Sequence, residues 1–225
     1  KYMADIPKAV QKKATFRDRF RKDSLIRQQD KYRQRAMMEK ESIQMVMHIT
    51  GRTDFDRLVT QQINPNAVYH HMNETMRNCF YSQEQWKKEN CRPYSIFMAQ
   101  GDYPLKGFHY MLQALPKLLD KYPAAHLYVA GNSIIGKMDR RTVQAAGDSS
   151  SQDKGSRYPS FIRISAYGKY LKLLIAQNHL GKHVTVLGKL SAEQMKEQYL
   201  KCSVFVCPSA VENSPNSIGE AMLMG

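Results

Sequence analysis

Long apolar runs, paired cysteines and acidic residues are all scarce in this chain of 225 residues. No apolar stretch approaches the ~20 residues that a membrane-spanning helix needs, so no such helix is expected. No positively charged start followed by an apolar core marks a secretory signal. The four cysteines, Cys79, Cys91, Cys202 and Cys207, show no CxxC spacing. A disulfide scaffold is therefore not expected, and a reducing compartment fits. No His, Cys and Asp cluster carries the spacing of a metal site. Asp and Glu number 20 against 34 Lys and Arg, a formal charge of +14. Hydrophobic residues make up 42%, too many for a disordered tail.

Half of the charge excess lies in residues 1–50, which hold 13 Lys/Arg and 6 Asp/Glu. From about 15 to 47 the chain is polar, helix-favouring and free of Gly and Pro, with arginines interleaved among Phe16, Phe20, Leu25, Ile26 and Met37. Such a stretch suits a solvated cationic helix face, an anionic lipid surface or nucleic-acid phosphates. No zinc-finger spacing or RNA-recognition signature accompanies it, so nucleic acid is not the expected partner. IQMVMHIT (43–50) reads as a short buried strand, Thr53 as the cap of a helix over DFDRLVTQQ, and AVYHHM (67–72) as a strand. His70 and His71 are adjacent on that strand and point to opposite faces, which argues against a shared metal ion. Residues 73–93 are polar and irregular, end at Pro93 and read as a linker.

After Pro93 short apolar runs alternate with amphipathic segments. SIFMAQ, HLYVAG, HVTVLG and SVFVCPS read as strands; residues 107–122, 165–180 and 191–202 and the last segment from Pro215 read as helices. Residues 136–161 read as a long loop or insertion. The alternation predicts an α/β fold: a doubly wound, Rossmann-like parallel sheet over 91–225, with a mostly helical remnant of another domain over 1–90. Ligands of such sheets bind beyond the carboxyl ends of the strands. Attention therefore falls on loops 100–107, 131–135, 188–190 and 209–216.

Two of these loops carry chemistry. Lys106-Gly107 precedes a helix, where a glycine admits a close backbone approach and a lysine can neutralise a phosphate. Glu212 and Glu220 are separated by seven residues, one in a loop after a strand and one about a turn into the next helix. Both can face one crevice. Backbone N–H groups near Asn216 and Ser217 can hold a diphosphate. A carboxylate at Glu220 can accept hydrogen bonds from a ribose diol, and Glu212 can meet sugar hydroxyls.

The stretch ENSPNSIGEAMLMG resembles the hallmark of the retaining glycosyltransferases of family 4, the group 1 glycosyltransferases: E-x7-E followed by A-M-x-x-G. LKGFHYMLQAL, HLYVAGN, VTVLGKLS and EQMKEQYLKCSVFVCPS stand upstream in the family's order, and HITGRTDFDRL looks like the close of its first domain. The resemblance implies a GT-B fold, built from two Rossmann-like units, of which this chain holds mainly the second. It implies a hexosyltransferase-type enzyme that takes a sugar from a nucleotide diphosphate sugar, with retention, to an acceptor hydroxyl, on a glycan or a lipid-linked carrier. It implies Glu212 as the catalytic residue near the transferred sugar, Lys106 on the diphosphate, Asn216 and Ser217 near the phosphates, Glu220 on the ribose, and Gly188 and Lys189 beside the base. No cofactor or metal is expected. A cytoplasmic protein is implied, with peripheral contact at the inner face of the membrane through residues 15–47. The chain departs from the family in one place: where many members carry an arginine shortly before the lysine, it has Gln100-Gly101-Asp102. It also starts at Lys1 and stops at Gly225 straight after a helical run, which reads as part of a longer protein, so activity attaches to the intact protein rather than to this piece. The rival reading is a non-catalytic basic module docking on anionic lipid or nucleic acid.

Overall fold

The computed structural model describes residues 3, 5–131 and 164–225. The loop expected over 136–161, and all but Gly131 of the loop 131–135, lie outside the described residues. In chain order the elements are α1 (Lys8–Gln11), α2 (Phe16–Phe20), α3 (Leu25–Met45), β1 (His48–Gly51), α4 (Asp54–Ile63) and β2 (Val68–His71). They continue with β3 (Ser95–Met98), α5 (Phe108–Lys121), β4 (His126–Ala130), α6 (Ala166–Gln177), β5 (Val184–Gly188), α7 (Ala192–Lys201), β6 (Val204–Val206) and α8 (Asn216–Met224). Among the described residues no helix is long and apolar enough to cross a membrane.

Four parallel strands form the main sheet in the order β5-β4-β3-β6. The chain steps outward from β3 to β4 to β5, then returns to place β6 on the other side of β3. Strand order thus reverses between β3 and β6, the kind of switch point beside which doubly wound sheets bind ligands. β3 is buried along its whole length, and its side chains alternate between two cores. Ile96 and Met98 join Phe108, Leu112 and Leu115 of α5 and Tyr167 and Leu171 of α6 on one face. Phe97 joins Met195 and Tyr199 of α7 and Met224 of α8 on the other. This is the doubly wound, Rossmann-like arrangement expected from the alternation. Ser191 caps α7 through the reciprocal bonds with Gln194 that its spacing announces.

The N-terminal part differs from expectation in three places. Residues 15–47 are two helices, not one. The capping box of Thr15 and Asp18 starts α2, Lys22 takes a left-handed φ of 51°, and Ser24 caps α3. Asp23 and Ser24 bond locally to Gln28 and to the Arg27 N–H, an alternative to continuous helix. The strand expected over 43–50 begins only at His48. It is half-exposed and among the described residues pairs with β2 alone, because α3 runs on through Met45. Residues 77–92 are no free linker: Phe80 is 1% exposed and packs edge-on to Tyr199. The Trp86 indole N–H donates to the Cys202 carbonyl at 2.7 Å, and the Arg92 N–H donates to the Lys201 carbonyl at 2.8 Å. A few large side chains with no periodicity hold this segment on α7 and α8. The start of the chain docks likewise: Met3, Ile6 and Leu25 enter the core, and buried Asp18 accepts the Ala166 N–H at 2.8 Å.

Candidate active site

A cleft of about 670 Å³ opens beyond the carboxyl ends of β3 and β6. Its wall includes Gln100, Asp102 and Lys106 after β3, Gly131 after β4, Lys189 after β5, and Cys207–Ser209 and Glu212 after β6. Asn216, Ser217 and Glu220 contribute from the first turns of α8. Loops 100–107, 188–190 and 209–216 singled out from the sequence therefore meet at one cleft, together with Gly131. The cause is topological, since parallel strands all end on the same edge and the β3–β6 reversal parts the loops there.

Lys106 and Glu212 come from loops over a hundred residues apart, and Lys106 Nζ lies 2.5 Å from Glu212 Oε1. Burial pulls the ammonium pKa down, but the hydrogen bond and charge of Glu212 outweigh it and hold the value above the ordinary lysine range. Lys106 is thus a fixed cation. Glu220 is 4% exposed, reached by α8 turning its first residues toward the sheet edge. Its carboxylate accepts the Arg77 fork at 2.8 and 2.9 Å and the Tyr199 hydroxyl at 3.3 Å. Burial first, then the Glu220 charge, push the Tyr199 phenol far above its ordinary pKa, so it stays a donor. The start of α8 has Pro215 as its N-cap and no side-chain cap. Its first N–H groups have no partner within the helix, and Ser217 lines the cleft beside them.

The Asn216 side chain is committed to protein. It accepts from Arg52 at 2.9 Å and donates to Glu74 at 2.9 Å, while Arg52 and Glu74 pair with each other. The neighbouring Asn213 is gripped by the start of α4: the Thr53 hydroxyl donates to its amide oxygen at 2.7 Å, and its amide N–H donates to Asp56. Burial raises the Asp56 carboxyl, but bonds from the Arg52 N–H, Asn213 and Thr53 outweigh it and hold the pKa below the usual carboxylate range. Arg52 and Asp56 thus hold the β6–α8 loop.

Two glycines take other roles. Gly107 lies outside the cleft wall. Its φ is +76°, and a Cβ built on it would sit 2.0 Å from the Pro208 carbonyl oxygen. The close approach it permits is therefore to the β6 loop, not to a ligand. Together with the bond from the Ala210 N–H to the Leu105 carbonyl at 2.8 Å, it locks the loops that carry Lys106 and Glu212. Gly188 also lies outside the wall, and its carbonyl accepts the Gly131 N–H at 2.9 Å; Lys189 beside it does line the cleft. Arg77 was missed by the sequence reading. It sits in an irregular segment with no periodic signal, 143 residues from its partner Glu220.

A parallel sheet with helices on both faces and a charged cleft at its switch point defines a Rossmann-like domain of the GT-B kind. Similar folds are found in sucrose-phosphate synthase from Thermosynechococcus elongatus (TM-score 0.58, 16% identity, 84% of this chain and 42% of that one). They are found also in S. aureus TarM crystallised with UDP (0.56, 14%, 83% and 30%). A third is Anabaena HepE in complex with UDP and glucose (0.54, 15%, 80% and 42%). At these identities the likeness is one of fold. The chain spans less than half the length of these proteins. No curated protein matches it. A family model described as glycosyl transferases group 1 matches residues 82–225. The chain belongs to the group 1 glycosyltransferases.

Proposed function

We propose that the cleft binds a nucleotide diphosphate sugar and that the intact protein transfers the sugar, with retention, to an acceptor hydroxyl. The observation that carries the reading is the convergence of Lys106, Glu212, Glu220 and the start of α8 on one cleft at the sheet's switch point. UDP and glucose in the structure of HepE, and UDP in that of TarM, support the donor class. Lys106 would neutralise the diphosphate, aided by the N–H groups at Asn216 and Ser217. Glu220 would take the ribose diol, Lys189 would pass beside the base, and Glu212, held by Lys106, would face the sugar. As the bond from the sugar's anomeric carbon to the phosphate oxygen breaks, its electron pair leaves on the diphosphate. The acceptor oxygen bonds to that carbon and gives up its proton to the departing diphosphate. Fixed cations do the work of charge neutralisation in this reading, without a metal, and the acceptor would lie on a glycan or lipid-linked carrier.

The test is a thermal-shift panel of UDP, GDP, ADP and their sugar conjugates. A ligand at a hundred times its dissociation constant stabilises by about 2.7 kcal/mol, a rise of roughly 5–11 °C for a chain of this size. Lys106→Met should lower affinity for the binding diphosphate at least tenfold. The reading fails if none of the panel shifts the melting temperature.

A second reading concerns the N-terminal surface. Phe16 and Phe20 are 64% and 81% exposed and stand among Arg19, Arg21 and Lys22, while α3 is solvent-exposed beyond its first turns. Peripheral contact with an anionic, inner-leaflet membrane surface suits this pairing of exposed rings and cations.

A further inference from the structure

Among the described residues the cleft carries four cations, Arg52, Arg77, Lys106 and Lys189. Three are already spent on protein carboxylates: Arg52 on Glu74, Lys106 on Glu212, and Arg77 on Glu220. The last pair differs from the others. Both nitrogens of the fork engage both oxygens of a carboxylate that is almost wholly buried, while the Arg77 side chain itself is 46% exposed and faces the cleft. A carboxylate offers about four lone-pair sites. Arg77 takes one on each oxygen and Tyr199 a second on Oε2, which leaves one on Oε1. A vicinal diol needs two acceptors, so Glu220 as it stands cannot receive both hydroxyls of a ribose. Nor can Arg77 simply leave, because a buried carboxylate without its cation is costly. The two changes must therefore occur together.

We propose that Arg77 is a donor-binding residue that exchanges partners when the donor enters. The ribose diol replaces the guanidinium on Glu220, and the released guanidinium pairs with the diphosphate in the same cleft. This rests on the reading of the cleft as a nucleoside diphosphate site. It assigns to a segment outside the sheet the second cation that the Gln100-Gly101-Asp102 loop does not provide. It also makes the site selective for linked ribose and phosphate. A nucleoside alone would have to break the Arg77–Glu220 pair with no new partner for the arginine. A nucleoside diphosphate supplies one, and guanidinium binds phosphate as a bidentate fork.

The test compares each diphosphate (UDP, GDP, ADP) with its nucleoside by calorimetry, in the full chain and in Arg77→Gln. For the base that binds, the wild type should favour the diphosphate strongly. In Arg77→Gln the nucleoside should bind more tightly than to wild type, the diphosphate more weakly, and the ratio of their affinities should fall at least tenfold. Arg77→Lys keeps a charge beside Glu220 should the glutamine variant fail to fold; it should show the same changes in direction, with a smaller fall in the ratio. A simple loss of structure would weaken both ligands alike and leave the ratio unchanged, and an unchanged ratio in the folded variants overturns the exchange while leaving the site intact. Failure of every diphosphate to bind the wild type overturns the underlying reading with it.

Discussion

Substituting Gly107 by alanine should break the contact that holds the cleft's two main loops together. Two effects add there. An L-residue at a φ of +76° carries the left-handed penalty of about 1–2 kcal/mol. The new methyl also meets the Pro208 carbonyl oxygen at 2.0 Å and its carbon at 2.8 Å, and this backbone cannot rotate away as a side chain could. Relieving such an overlap costs about 1–3 kcal/mol more. Gly188 supplies the control, with φ +79° and nothing within 4 Å of its Cβ, so Gly188→Ala should show the conformational penalty alone. Gly181 also has open space around it and no positive φ, so Gly181→Ala should change stability little, by ~0.5 kcal/mol. Denaturant midpoints at constant slope then rank the three as Gly107 well below Gly188, and Gly188 below Gly181. Because Lys106 and Glu212 ride on the displaced loops, Gly107→Ala should also abolish the thermal shift from the binding diphosphate, while Gly188→Ala keeps most of it. Equal destabilisation at Gly107 and Gly188, within about 0.5 kcal/mol, would refute the packing argument.

His109 and the basic N-terminal surface yield two further tests. His109 is 2% exposed, with its Nδ1 3.1 Å from the Tyr167 hydroxyl, and burial lowers its pKa from 6.5 to about 4 against a small opposing pull from Asp5. Between those values the unfolded chain binds a proton that the folded one does not, so stability falls as pH drops from about 6.5 to 4 and this contribution is flat above that window. The loss should reach about 3 kcal/mol at the acid end. His109→Phe should remove it, and a variant as acid-sensitive as the wild type would contradict the assignment. At the surface, the chain should sediment with vesicles rich in phosphatidylserine but not with neutral ones, and should release at high salt. Phe16→Ser with Phe20→Ser should weaken this at least tenfold, and no sedimentation with either vesicle would dispose of the membrane reading.

The group 1 glycosyltransferase half of the molecule was legible because its signals are local. Short runs such as SIFM and VTVLG are mostly apolar, as strands covered on both faces are, and the helices between them keep one apolar side. Caps at Ser165 and Ser191 mark helix starts with side chains only three residues from their targets. Parallel strands end on one edge, so the loops bearing Lys106, Glu212 and Glu220 could be expected to meet. The N-terminal third was less legible, since its break at Lys22 and its short exposed strands depend on single residues rather than on a period.

Sequence alone therefore determined the alternation of strands and helices and the set of loops that face the ligand. Tertiary structure decided the order β5-β4-β3-β6 and which side chains join that set from outside it. Arg77 reaches Glu220 across 143 residues and Arg52 reaches Asn216 across 164. Contacts of that span leave no periodic trace in the chain, because they form only when burial of Phe80 and the bonds of Trp86 to the Cys202 and Met224 carbonyls fix where the intervening backbone runs.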